Sequence, residues 1–216
     1  MNAQLATLNP LPAALQSPAW ADPRHPGRRR HVGDFLIRTE ALVHFNQLLG
    51  RLQHFPLDQD QLATASRELA GQSAPTRPAS IRQRLQLAGT VEQMIDDAGW
   101  ETAADAVLPA RVVVDYVHGR HALIPGGLPP VRRLDDAILV DAAWPQLAGE
   151  VDSYLDFCRL RALEAELRGC MVGRFRFTRA DWLQARRAEA GLIAHCRRVG
   201  GTSYLPAPDT HSFRVY

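Results

Sequence analysis

From Leu134 to Ala143 the chain reads Leu-Asp-Asp-Ala-Ile-Leu-Val-Asp-Ala-Ala. Wound at about 100° per residue, its apolar side chains point to nearly every side of a helix. Such a helix is stable in water only when other elements surround it, so this stretch demands a core helix with neighbours on all sides. A loop rich in glycine and proline precedes it, from His118 to Arg133. Gly126 and Gly127 permit positive φ, while Pro125, Pro129 and Pro130 fix φ near about −65°. The loop is therefore expected to be ordered, with Leu123, Ile124 and Leu128 turned inward. It is not a phosphate loop, because G-x-x-x-x-G-K-[ST] is missing and all 25 basic residues are arginine.

The neighbours are legible as amphipathic helices. Leu42, Phe45, Leu49 and Leu52 recur at three- and four-residue steps, which predicts a helix over 34–54, started by Gly33-Asp34 and stopped before Pro56. A second helix is expected over 58–71 on Leu62, Ala65 and Leu69. Gln72 to Pro78 reads as a linker. Shorter helices follow over 80–87 and, from a capping box at Thr90, over 90–98. The stretch 101–117 is read as helix despite Pro109 and the β-branched Val112-Val113-Val114. Pro145 suits the first turn of a new helix to about Arg168, striped by Leu147, Val151, Tyr154, Cys158, Ala162 and Ala165. Thr178 to Asp181 caps a last helix to about Val199, with Trp182, Ala185, Leu192 and Cys196 inward. The expected fold class is mainly α, an irregular multi-helix bundle with extended N- and C-terminal tails. Its divisions are a flexible Pro/Arg-rich leader (1–32), an N-terminal helical pair (33–71), a helical core (79–200) and a C-terminal tail (201–216).

The totals exclude more than they assign. A formal net charge of +2 gives no concentrated basic field for a polyanion. An arginine-only basic set is what a GC-rich bacterial coding sequence produces. Three cysteines without C-x-x-C spacing form neither a disulfide framework nor a zinc knuckle. No secretory leader and no membrane span of about 20 apolar residues is evident, so a cytoplasmic chain with reduced thiols is expected.

Two groups of residues invite chemistry. His118 and His121, three apart, with Asp135, Asp136 and Asp141, make a mixed nitrogen and oxygen set that suits zinc, manganese or iron. The plainer reading is structural. Asp135 and Asp136 at a helix start complement free N–H groups and the helix dipole. Asp141, on the apolar face, needs a partner from Arg111, Arg120, Arg132 or Arg133. No cofactor is expected, and a divalent metal is the alternative. The second group is basic: Arg24 and Arg28 to Arg30 in the leader, and Arg174-Phe-Arg-Phe, where interleaved rings and guanidinium groups suit base stacking.

The spacing Leu123-Ile124-Pro125-x-x-Leu128-Pro129, four residues, then Leu134-Asp135-Asp136-Ala137-Ile138 resembles the motif of the YkvA-like family, a small helical domain of unknown function. The resemblance covers about 104–154. It implies a helical fold with the Asp-Asp pair at a helix start, and makes Pro125, Gly126, Pro129, Asp135 and Asp136 a structural motif. It implies no reaction. The chain differs from the family at Ala122 and Gly126, where acidic residues are usual, and at Arg132, where a glycine is usual.

No nucleophile elbow, zincin motif, dinucleotide fingerprint or kinase set is present. The leading expectation is a non-enzymatic protein that binds another protein, as an adaptor, regulator or immunity-type inhibitor, with a homo-oligomer as one form of such association. The alternatives are a metal-dependent hydrolase built on the His/Asp set, and a nucleic-acid binder built on the Arg-rich leader.

Overall fold

The computed structural model describes residues 9–16, 18, 31–32, 35–71, 78–119, 122–124 and 131–202. Six α-helices lie among the described residues: α1 (Thr39–Arg51), α2 (Gln59–Gly71), α3 (Ala79–Asp96), α4 (Ala104–His118), α5 (Leu134–Leu167) and α6 (Arg179–Thr202). The only sheet among them is a small hairpin, β1 (His31–Val32) and β2 (Phe35–Leu36), antiparallel with Val32 opposite Phe35. The chain is mainly α, an irregular multi-helix bundle, and no described helix is long and apolar enough to cross a membrane. It falls into two compact units, 1–158 and 159–216. The linker at Gln72–Pro78 divides two helices of the first unit, since α2 and α3 both belong to it.

The first unit is built around the start of α5. Every residue from Leu134 to Val140 is buried, as an all-round apolar helix requires. The stripe of α1 (Leu42, Phe45, Leu49, Leu52) is buried as its spacing predicts. Asn46 ties the following connection back to α1: its Nδ2 donates to the Leu57 carbonyl at 2.8 Å and its Oδ1 accepts the Leu57 N–H at 3.0 Å. Asp58 and Gln61 then form a reciprocal capping box, with N–H to side-chain oxygen distances of 2.8 and 2.9 Å. Part of the leader is also ordered: Leu11, Leu15 and Val32 are buried. The remaining leader residues and the tail 203–216 lie outside the described residues.

Three boundaries differ from the sequence reading. The first helix begins at Thr39, because Phe35 and Leu36 pair with β1 and Ile37 is buried. The two short helices expected over 80–98 are one, α3. Thr90 does not cap; its hydroxyl donates back to the Gln86 carbonyl at 3.2 Å inside the helix. The helices expected on either side of Trp144 are also one. Pro145 lies inside α5, where the missing N–H and ring clash cost about 3 kcal/mol. Leu134 to Trp144 is buried except Asp141, and this packing outweighs the local cost.

The second unit holds the end of α5, a 3-10 turn at Val172–Arg174, and α6. Gly169 ends α5 in the left-handed region at φ +64°, with the Cys170 N–H on the Ala165 carbonyl at 2.8 Å and the Gly169 N–H on Glu166 at 3.0 Å. Thr178 and Asp181 cap α6 as expected. Asp181 accepts the Thr178 N–H at 2.8 Å and its hydroxyl at 2.7 Å. Leu192 and Cys196, expected inward, are exposed. Helical spacing places residues on one face of α6, but the described residues of this unit do not cover that face beyond Ala185.

Replacing Gly169 by Ala is expected to destabilise by about 1 kcal/mol in urea unfolding, purely from φ, since no atom lies within 4 Å of the added Cβ. A neutral result would show that the turn has another way to close. The Asp181 carboxyl is held below its ordinary value of 3.8, chiefly by the Thr178 hydroxyl and then by its N–H. The cap therefore acts fully above pH ~4 and is lost as pH falls through the lowered value. Acid titration by NMR should free the Thr178 amide only below the ordinary aspartate range. Release at or above pH 4 would contradict the assignment.

Candidate functional site

The densest polar cluster gathers at the start of α5. Asp135 is buried, and its Oδ2 accepts three hydrogen bonds: from the Tyr116 hydroxyl at 2.9 Å, the Leu123 N–H at 2.7 Å and the Ile124 N–H at 3.2 Å. Its Oδ1 is buried without a hydrogen-bond partner among the described residues. The N–H groups it satisfies belong to the preceding loop rather than to its own helix. The carboxylate thus fixes the loop at Leu123–Ile124 against α4. Leu123 and Ile124 are buried, as the Gly/Pro framing predicts, whereas Pro125, Gly126, Leu128 and Pro129 lie outside the described residues.

Asp136 points to a different partner. It accepts Arg133 Nε at 2.6 Å, while Arg133 Nη2 donates to the Val117 carbonyl at 3.0 Å. That carbonyl is in the last turn of α4, where helical acceptors have no intrahelical donor and a cation is favoured. Arg133 itself sits at φ +68°.

Asp141 is paired with Arg84 of α3, none of the four arginines expected from the sequence. Arg84 Nε lies 2.8 Å and Nη2 2.6 Å from the same carboxylate oxygen. The burial is also the reverse of expectation: the Arg84 side chain is 2% exposed and that of Asp141 34%. The signal lay in α3, where Ile81, Arg84, Ala88 and Val91 follow three- and four-residue steps, which puts the guanidinium on the apolar face.

A second cluster, unseen in the sequence, closes the other end of α4. Glu150 Oε1 accepts the Ala103 N–H at 2.9 Å and the Trp100 indole N–H at 3.0 Å. Ala103 is the N-cap position of α4 and has no capping side chain of its own, so Glu150 supplies the cap from α5. Beside it, Tyr154 donates to the Gln93 carbonyl or the Asp97 carboxylate, each at 3.2 Å, and packs edge-on to Trp100 at 5.8 Å.

These contacts decide what the groups can do chemically. Burial, and then the Asp135 charge, push the Tyr116 phenol far above its ordinary value of 10. It stays protonated, a fixed donor and a poor proton acceptor. Tyr116 lines a cleft of about 300 Å³ with Arg38, Glu40, His44 and Phe45. Asp135 lies behind its hydroxyl.

The four described residues of the candidate metal set are scattered among partners. His118 Nε2 meets Glu92 at 3.0 Å on the surface. Asp135, Asp136 and Asp141 hold three separate donor groups, and His121 lies outside the described residues. Among the described residues no three His, Cys, Asp or Glu side chains gather as a metal-binding group. In the Arg174–Phe177 stretch, Phe175 and Phe177 stack on each other at 6.0 Å and the Arg168 guanidinium covers Phe175 at 5.0 Å. Those ring faces are engaged internally. Arg24 and Arg28 to Arg30 lie outside the described residues.

No family model, curated protein or solved structure matches the chain.

The two ends of α4 should differ in sensitivity. Asp135→Ala strands the Ile124 N–H and the Tyr116 phenol in a buried place and leaves the Leu123 N–H only the Tyr116 hydroxyl at 3.2 Å, and is expected to cost about 3–5 kcal/mol in urea unfolding. Glu150→Ala removes a half-buried cap and should cost about 1–2 kcal/mol. The reverse order would show that α4 is anchored mainly at its N-terminus.

Proposed function

We propose that the chain acts by binding another protein, and that its C-terminal unit carries the docking face. The observation that supports this is where apolar surface lies. Of the eleven exposed large apolar side chains among the described residues, eight fall between Leu163 and Val199. Leu167 is 82% exposed, Met171 63% and Leu192 63%, and Leu163, Ile193 and Val199 accompany them. Isolated surface leucines are ordinary, but a concentration of this kind on a short unit is typical of an interaction surface. On α6 the residues Leu192, Cys196 and Val199 follow four- and three-residue steps, the pattern by which one helix meets another.

The carboxylates at the start of α5 fit this reading, because each accepts donors that hold the backbone together. The YkvA-like resemblance fits it too. On this reading the Asp-Asp pair of that motif is a fastening: one carboxylate holds the loop and the other holds the arginine clip.

The double variant Leu192→Glu/Val199→Glu tests the proposal. Both side chains are exposed, so thermal unfolding should shift by no more than about 2 °C. A protein captured from the host by the wild type, purified and titrated back, should bind the variant at least about tenfold more weakly. If the chain instead associates with itself, sedimentation should show the oligomer lost in the variant. Capture and self-association that are identical in both chains would sink the proposal.

A further inference from the structure

Residues Asn9–Gln16, Asn-Pro-Leu-Pro-Ala-Ala-Leu-Gln, are uncharged and form one tight turn. The Leu15 N–H reaches the Pro12 carbonyl at 2.9 Å, the Gln16 N–H reaches Ala13 at 3.0 Å, and the Gln16 amide reaches Leu11 at 3.0 Å. The segment thus satisfies much of its own backbone, as a short peptide ligand does. It lies along α2, with both leucines buried, and lines a cleft of about 460 Å³ together with Glu68, Ala79 and Ser80. Two side chains of the body grip its carbonyls: Arg84 Nη1 on Asn9 at 2.8 Å and Gln61 Nε2 on Ala14 at 2.9 Å.

Both gripping groups are held independently of the segment. Arg84 keeps Asp141, and its Nη1 also donates to the Ser80 carbonyl at 3.1 Å. Gln61 keeps the Asp58 N–H on its oxygen at 2.9 Å. Departure of the segment therefore leaves no buried charge unpaired, and so avoids the cost that an orphaned charge would add. The fourteen positions 17–30, rich in Pro and Arg, separate the segment from β1 in sequence.

We propose that the groove along α2 and the start of α3 is a peptide-docking site whose resident is the chain's own segment 9–16. A partner segment of the same chemistry displaces it: a neutral peptide carrying two leucines four residues apart around a turn opened by proline. The Arg84 and Gln61 donors read its backbone, and the groove reads the leucines. The resident keeps the groove closed by its high effective concentration until such a partner is abundant. This site lies wholly in the first unit and stands without the α6 surface.

The test uses a fluorescein-labelled peptide of residues 8–17 and the full-length chain, read by fluorescence anisotropy. The variant Leu11→Ser/Leu15→Ser alters only the resident. It should bind the peptide at least about tenfold more tightly than the wild type, because its groove is no longer filled in cis. Adding Gln61→Ala to that variant should weaken binding severalfold, and a peptide with Leu11 and Leu15 replaced by serine should not bind. Leu192→Glu/Val199→Glu should bind as the wild type does, which separates this result from the fate of the α6 proposal. Equal binding to wild type and Leu11→Ser/Leu15→Ser would overturn the inference. Loss of cooperative unfolding in that variant would also overturn it, since the segment would then be core. So would a wild-type dimer in light scattering that disappears in the variant, which would assign the groove to a second copy.

Discussion

The first unit depends on two carboxylates of one helix. Asp135 and Glu150 lie fifteen positions apart on α5, about 22 Å at the helical rise per residue. That is the length of α4, whose fifteen residues lie between them. Glu150 takes the first N–H at one end; Asp135, with the Asp136–Arg133 clip, holds the hydroxyl and last-turn carbonyl at the other. A helix of about fifteen residues is marginal on its own in water. Here its register against α5 is set by matched lengths, and its end groups find partners on a helix whose own start is buried.

The same economy runs through the other charges. Arg84 is among the largest fully buried side chains, yet its donors reach Asp141, the Ser80 carbonyl and the Asn9 carbonyl. A guanidinium suits that place because its donors lie in a fixed plane and point in several directions, whereas an ammonium offers a single point charge. Tyr116 sits between α1 and the loop, with Phe45 5.5 Å from its ring, and works as a neutral donor. Each of these groups joins segments that are far apart in sequence, and each lies near the start or middle of α5.

Much of this was readable from residue spacing. The buried faces of α1 and α2, the all-round burial of Leu134–Val140, the helical state of the Val112–Val114 stretch and the Thr178–Asp181 cap follow from local pattern, because each is decided within a few turns. What spacing did not supply is of two kinds. Pro145 and Thr90 carry strong local signals for a helix start, and tertiary burial overrode both. The partner of Asp141 and the role of Glu150 depend on which helices meet. Arg84 is 57 positions from Asp141, and Glu150 is 47 from Ala103. The position of Arg84 on an apolar stripe was a visible sign of burial. Glu150, on the edge of a solvated face, carried none. On α6, periodicity marked a face, but whether anything lies against that face is settled by the rest of the fold.

Arg133 shows how closely ease and attachment are tied in this molecule. A left-handed backbone is one that glycine adopts freely and arginine resists. Glycine there would relax the main chain and in the same stroke erase the guanidinium that ties α4 to α5. Two effects of opposite sign therefore meet at a single residue, and the backbone ease of one replacement comes with the loss of a fastening.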